Sequence, residues 1–122
     1  MALRNFTANH LDLIVSHSCP SGIGIGMKSN ALFASTVAQY LEKSGFTASP
    51  QNDCGEAELK FLWDSLNQRE NQTPPHWVFG HFHVFHKAMI GQTQFICVPK
   101  LGVLFPMVIW DTEEKTMLVI NV

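Results

Sequence analysis

Apolar positions follow two different periods along the chain, and the change between them near residue 75 organises it. Leu11 to Val15 is apolar apart from Asp12 and predicts a buried strand over 11–15. From Ala31 to Lys43, the residues Phe33, Val37, Tyr40 and Leu41 share one helical face, and Gly45 stands where a helix ends in a left-handed residue. Ser29 or Asn30 precedes that run and can accept from its free N–H groups. A second helical stripe, Leu59, Leu62, Trp63 and Leu66, predicts a helix over 55–68 with Trp63 in the core. Glu56 and Glu58 near its start complement the helix dipole. The polar stretches 46–54 and 71–75 predict connectors.

After Pro75 the pattern turns to strands. His76–Phe79, Lys87–Ile90, Gln94–Val98, Gly102–Trp110 and Lys115–Val122 are separated by Gly91-Gln92, Pro99-Lys100 and Asp111–Glu114. Pro106 predicts a bulge or an edge position within its strand. Two helices and about six strands in this order predict an α/β fold bordering on α+β, in a single domain over residues 1–122.

Composition narrows the classes. With 46% hydrophobic residues the chain can build a core, which argues against disorder. Eight basic against ten acidic residues leave a net charge of −2, so nothing marks a nucleic-acid or anionic-membrane surface. No apolar run reaches the roughly 18 residues of a membrane span, and Met1–Phe6 lacks the apolar core of a signal peptide. The three cysteines, Cys19, Cys54 and Cys97, show no C-x-x-C spacing; a reducing, cytoplasmic setting is expected rather than a disulfide framework.

Three of the six histidines stand in two short stretches. Trp77-Val78-Phe79-Gly80-His81-Phe82-His83 is an apolar strand ending in a glycine and a His-x-His pair. On an extended backbone, residues two apart project to the same side, and Gly80 permits a sharp turn. Leu13–Gly22 has the same design: an apolar strand, then His17, then Pro20 and Gly22. Open α/β sheets place their sites beyond the carboxyl ends of strands, and imidazole is the commonest metal-ligating side chain. Each histidine can equally be a half-exposed group on a strand edge. Cys19 lies two residues from His17, so a Cys–His pair is a further candidate beside the default of a buried structural thiol. Gly22-Ile23-Gly24-Ile25-Gly26 sits between a strand and a helix, but Met27 stands where a dinucleotide fingerprint needs a third glycine. A flexible loop at the site rim is expected there. His10 and His76 precede their strands and are expected at the opposite end.

The ordered pair Ser16-His17 with Pro20, then Gly80-His81-Phe82-His83, resembles the last two signature blocks of the calcineurin-like metallophosphoesterases. Val78-Phe79, Gly91–Phe95 and Val98-Pro99 agree with the flanks of those blocks, and the resemblance spans residues 11–111. The family's earlier blocks, Asp-x-His, Gly-Asp and Gly-Asn-His, do not occur. The resemblance therefore implies the C-terminal half of a four-layer α-β-β-α sandwich.

The resemblance further implies that His17 and His81 ligate one divalent ion and His83 its neighbour, the ions being Mn, Fe or Zn. The bridging carboxylate, the other ligands and the catalytic histidine would lie in the absent blocks, so no catalytic residue is assigned here. A phosphoester substrate is implied, with His86 and Lys87 either as phosphate contacts or as a solvated strand-end pair. Alone, the chain is expected to hydrolyse poorly or not at all. It is expected to assemble as a homo-oligomer or with a chain supplying the N-terminal half, since an uncovered sheet face is a liability. A non-catalytic binding module with the same fold, and an unrelated zinc enzyme holding one ion on three histidines, stay open beside this reading.

Overall fold

The computed structural model describes residues 11–26, 31–47, 54–68, 74–100 and 106–121. Ser29 and Asn30, the suggested helix caps, and His10 lie outside them. The chain runs β1 (Leu13–Ser16), α1 (Ala31–Lys43), α2 (Glu56–Asn67), β2 (His76–Phe79), β3 (His86–Ile90), β4 (Thr93–Cys97), β5 (Pro106–Asp111) and β6 (Thr116–Asn121). The described residues form a mixed α/β arrangement of two helices and six strands, with a four-stranded sheet ordered β1-β2-β4-β3 and a separate β5-β6 hairpin.

β1 and β4 flank β2 in parallel, and β3 runs antiparallel to β4. Gly91 and Gln92 join β3 to β4, with Ile90 opposite Thr93. Gly91 has φ 60 and Gln92 has a negative φ, the pattern of a two-residue type II′ hairpin with glycine first. The Thr93 hydroxyl donates to the Pro74 carbonyl at 2.7 Å, tying the start of β4 to the segment that enters β2.

The register sorts the sheet's residues onto two faces, because side chains alternate along each strand. Ile14, Trp77, Phe95 and Ala88 are aligned across the sheet. Trp77 and Phe95 are fully buried, and Trp63 of α2 meets Phe95 edge-on at 5.3 Å. Leu66 is buried with Trp63, and Leu59 and Leu62 pack on the same core, as the helical stripe predicts. The other face carries Val15, Val78, Ile96 and Met89; Val15 is 72% and Met89 66% exposed. The hairpin meets the sheet at the amino ends of β1 and β2, where Trp110 packs against His76 at 5.2 Å and Lys115 pairs with Asp12. His76 is thus at the opposite end from the carboxyl edge, as expected. Pro106 opens β5, a strand with one partner, so it occupies the expected edge position.

α1 has the expected bounds but a weaker seat. Phe33, Val37 and Leu41 are half-buried, whereas Tyr40 is 70% exposed and no residue of the helix is fully buried. Its end is the one foreseen: Phe46 N–H donates to the Leu41 carbonyl at 2.9 Å, Gly45 N–H to the Glu42 carbonyl at 3.1 Å, and Gly45 has φ 83. These are the paired bonds of a Schellman cap. α2 starts after Gly55, and Glu56 is only 1% exposed. Glu56 stands in the first turn, where it complements the helix dipole, and it is enclosed.

Candidate metal centre at the carboxyl edge of the sheet

Parallel pairing of β1 and β2 is what joins the two histidine stretches. Ser16 lies opposite Phe79, and the ladder continues one step, with Gly80 N–H donating to the His17 carbonyl at 3.2 Å. His17 and His81 consequently leave neighbouring strand ends together. Their rings stand 4.7 Å apart between centroids, tilted by 60°. His17 is exposed and His81 half-buried.

The His-x-His segment is not extended. Residues 81–84 form a bend, and both His81 (φ 66) and His83 (φ 59) are left-handed. Phe82 N–H donates to the Gly80 carbonyl at 2.8 Å, closing a three-residue turn on His81. A positive-φ turn of this kind is rare and strained, and histidine tolerates the left-handed region better than most side chains. Gly80 itself does not adopt positive φ, and a Cβ there would meet only Val98 Cγ2 at 4.0 Å. The turning falls to the two histidines, so a shared direction cannot be read from strand alternation. Backbone outliers held by surrounding structure cluster at functional sites.

His81 is held by aromatic rings. Phe33 of α1 lies 5.7 Å from it edge-on, and Phe82 lies 5.1 Å away. Its Nε2 is buried without a hydrogen-bond partner among the described residues. Burial, then the neighbouring His17 and His83, push its pKa below the ordinary 6.5. Near neutral pH the ring is therefore uncharged, the state in which imidazole can donate a lone pair to a metal. His83 is exposed and makes itself felt at His81 through its charge. Among the described residues, no three His, Cys, Asp or Glu side chains are grouped closely enough to hold an ion.

The other candidates have definite places. His86 lies at the same edge, opposite Cys97, and its ring Nε2 is 3.2 Å from the Ile23 carbonyl, so it braces the glycine loop. Lys87 is exposed on the next position of β3. The glycine loop is anchored rather than loose, because Ile23 and Ile25 are buried in the core cluster. Cys19 is fully buried, its thiol reaching the Ile25 carbonyl at 3.8 Å, and burial with the nearby Glu56 charge pushes its pKa up to about 12. A thiol so held is no nucleophile, which removes the Cys–His pairing with His17. Cys97, also fully buried, lies beneath the turn, its thiol 3.4 Å from the Gly80 carbonyl; burial raises its pKa to about 11.

Two features of the site escaped sequence reasoning. One is the aromatic wall of Phe33 and Phe82, whose rings are 4.7 Å apart and which joins residues of α1 and the turn. The other is the buried Glu56, whose carboxylate lies against Gly26 and whose carbonyl accepts from Ser21 N–H at 3.2 Å. The only sequence signal for either was a carboxylate directly after Cys54-Gly55 and an aromatic on the helix face. No family model matches the chain, and no curated protein matches it.

Proposed function

We propose that this chain supplies the C-terminal histidine half of a metal-dependent phosphoesterase centre. The observation that carries the reading is the pairing of His17 with His81 at adjacent parallel strand ends, with a buried His81 Nε2 that has no partner among the described residues. A buried nitrogen left unpaired costs about 1–3 kcal/mol, and binding an ion would offset that. The donor set fits part of a dinuclear site: His17 and His81 toward one ion, and His83 toward its neighbour. When bound, such a pair of ions generates hydroxide near neutral pH and stabilises the attacking and leaving oxygens of a phosphoryl transfer. The chain's own contribution is to hold His81 neutral and to fix its ring between Phe33, Phe82 and His17.

Completion of the site calls for donors from outside residues 1–122, either from another copy or from the N-terminal half of such a domain. The exposed patch of Val15 and Met89, on the sheet face where Ile96 is already buried, is where such a half would pack; the four-layer sandwich is the expected result. The experiment is a calorimetric titration with Zn²⁺ and Mn²⁺ of the pure chain, His17→Ala and His81→Ala, with the assembly mass recorded by light scattering. Ion binding that weakens at least about tenfold in each variant supports the reading, a loss of the size seen when a metal site is disturbed. Binding that survives both substitutions, or none at millimolar ion, refutes it.

A further inference from the structure

An apolar cleft of about 210 Å³ opens beside the histidine pair, lined by Ile25, Leu32, Phe33, Thr36, Phe82 and Val84. Its inner wall is the wall of the candidate site, since Phe33 and Phe82 are also the rings that hold His81. Its mouth is open to solvent, with Leu32 79% exposed at the rim. No lining residue is charged, and the one hydroxyl, Thr36 Oγ1, is already donating to the Leu32 carbonyl at 3.0 Å. Polar substituents would find no side-chain partner there and would lose their water, a cost with no return.

We infer that this cleft binds an apolar group, one aromatic ring or a short alkyl chain, carried on the ligand that the histidine pair engages. The inference rests on the phosphoester reading for what His81 engages, and adds the class of alcohol the ester carries. Size agrees. An apolar cavity of about 150 Å³ accepts benzene, so this cleft of about 210 Å³ has room for a single ring. Chemistry agrees, because no side chain of the lining is left to pair with a sugar or nucleobase. The position of the cleft also fits: the histidines do not line it, but Phe33 and Phe82 belong both to its lining and to the rings that hold His81, so the cleft adjoins the candidate site. Aromatic rings in the lining favour an aromatic guest, through edge-to-face contact.

The test uses phenylphosphonate, methylphosphonate and benzyl alcohol against the metal-supplemented chain, with binding followed by NMR titration. Two variants probe the cleft from its exposed side: Thr36→Phe fills it, and Val84→Asp places a charge at its rim. Both positions are exposed, so both variants are expected to fold. Phenylphosphonate should bind at least about tenfold tighter than methylphosphonate, the least that an apolar pocket discriminates per group. That preference should vanish in both variants while methylphosphonate binding is unchanged in Thr36→Phe. A phenyl preference that persists in both variants, or one absent from the wild type, overturns the inference. If neither phosphonate binds but benzyl alcohol does, and is lost in Thr36→Phe, the phosphoester reading has failed and the apolar specificity of the cleft stands.

Discussion

Replacing Gly26 with alanine should be among the most damaging single-methyl changes in the protein. Two costs coincide there. Gly26 has φ 127, a conformation that side-chain-bearing residues rarely adopt, and forcing one into such a region costs about 1–3 kcal/mol. The new Cβ would also overlap Glu56 Oε1 and stand 2.8 Å from its Cδ. Glu56 is 1% exposed, so its carboxylate must shift inside the protein rather than swing into water. Disturbing the partners of a buried charged group adds about 1–3 kcal/mol. The sum, roughly 2–6 kcal/mol, is a large part of the 5–15 kcal/mol typical of domain stability. Gly22 provides the control: its φ is 89, but a Cβ there meets nothing within 4 Å, so Gly22→Ala carries only the backbone cost. Urea unfolding followed by tryptophan fluorescence measures both variants. With a slope of about 1–3 kcal/mol/M, Gly26→Ala should lower the midpoint by roughly 1–3 M and Gly22→Ala by clearly less. Equal losses in the two variants, or an unchanged midpoint for Gly26→Ala, would refute the Glu56 latch.

Three further outcomes follow from the same geometry. At pH 8 a disulfide reagent should label only the half-buried Cys54 within minutes; Cys19 and Cys97, buried and raised to about 12 and 11, should react only in urea, and a second fast thiol in the native protein would contradict their placement. His81 binds its proton less readily in the folded chain than at the ordinary 6.5, so its contribution to stability is full above that pH and is lost as pH falls through the lower folded value. The urea midpoint should therefore drop more steeply between pH 7.5 and 5 in the wild type than in His81→Gln, and a wild type that gains relative to the variant on acidification would reverse the sign. Gly80→Ala should fold with its midpoint unchanged to within about 0.5 kcal/mol or slightly raised, because its φ is not positive and its Cβ site is open; a loss of 2 kcal/mol, about that of a strained glycine, would show that the turn at this position has been misread.

Local pattern decided most of the elements. The stripe of Leu59, Leu62, Trp63 and Leu66 and the Gly45 terminator are written in nearest neighbours, and both helices lie within a residue of where those signals put them. The strand ends at His17 and Gly80 were equally legible, because each is a short apolar run that stops at turn-forming residues. That two such runs would deliver histidines to one place was an expectation of topology, and it became fact only when β1 and β2 paired in parallel and in register. The orientation of the histidines was not legible at all. The positive φ of His81 goes with the local Gly80–Phe82 bond, and the turn sits between Phe33, which meets His81, and Cys97, whose thiol reaches the Gly80 carbonyl, residues far apart in the chain. Glu56 shows the same limit. Its spacing reads as a helix-end carboxylate, and only the fold brings Gly26 and Cys19 against it. Periodicity and turn chemistry act over a few residues and so can be read from sequence alone; burial, and the pKa shifts and backbone strain it imposes, depend on which distant segments meet, and that was decided by the tertiary structure.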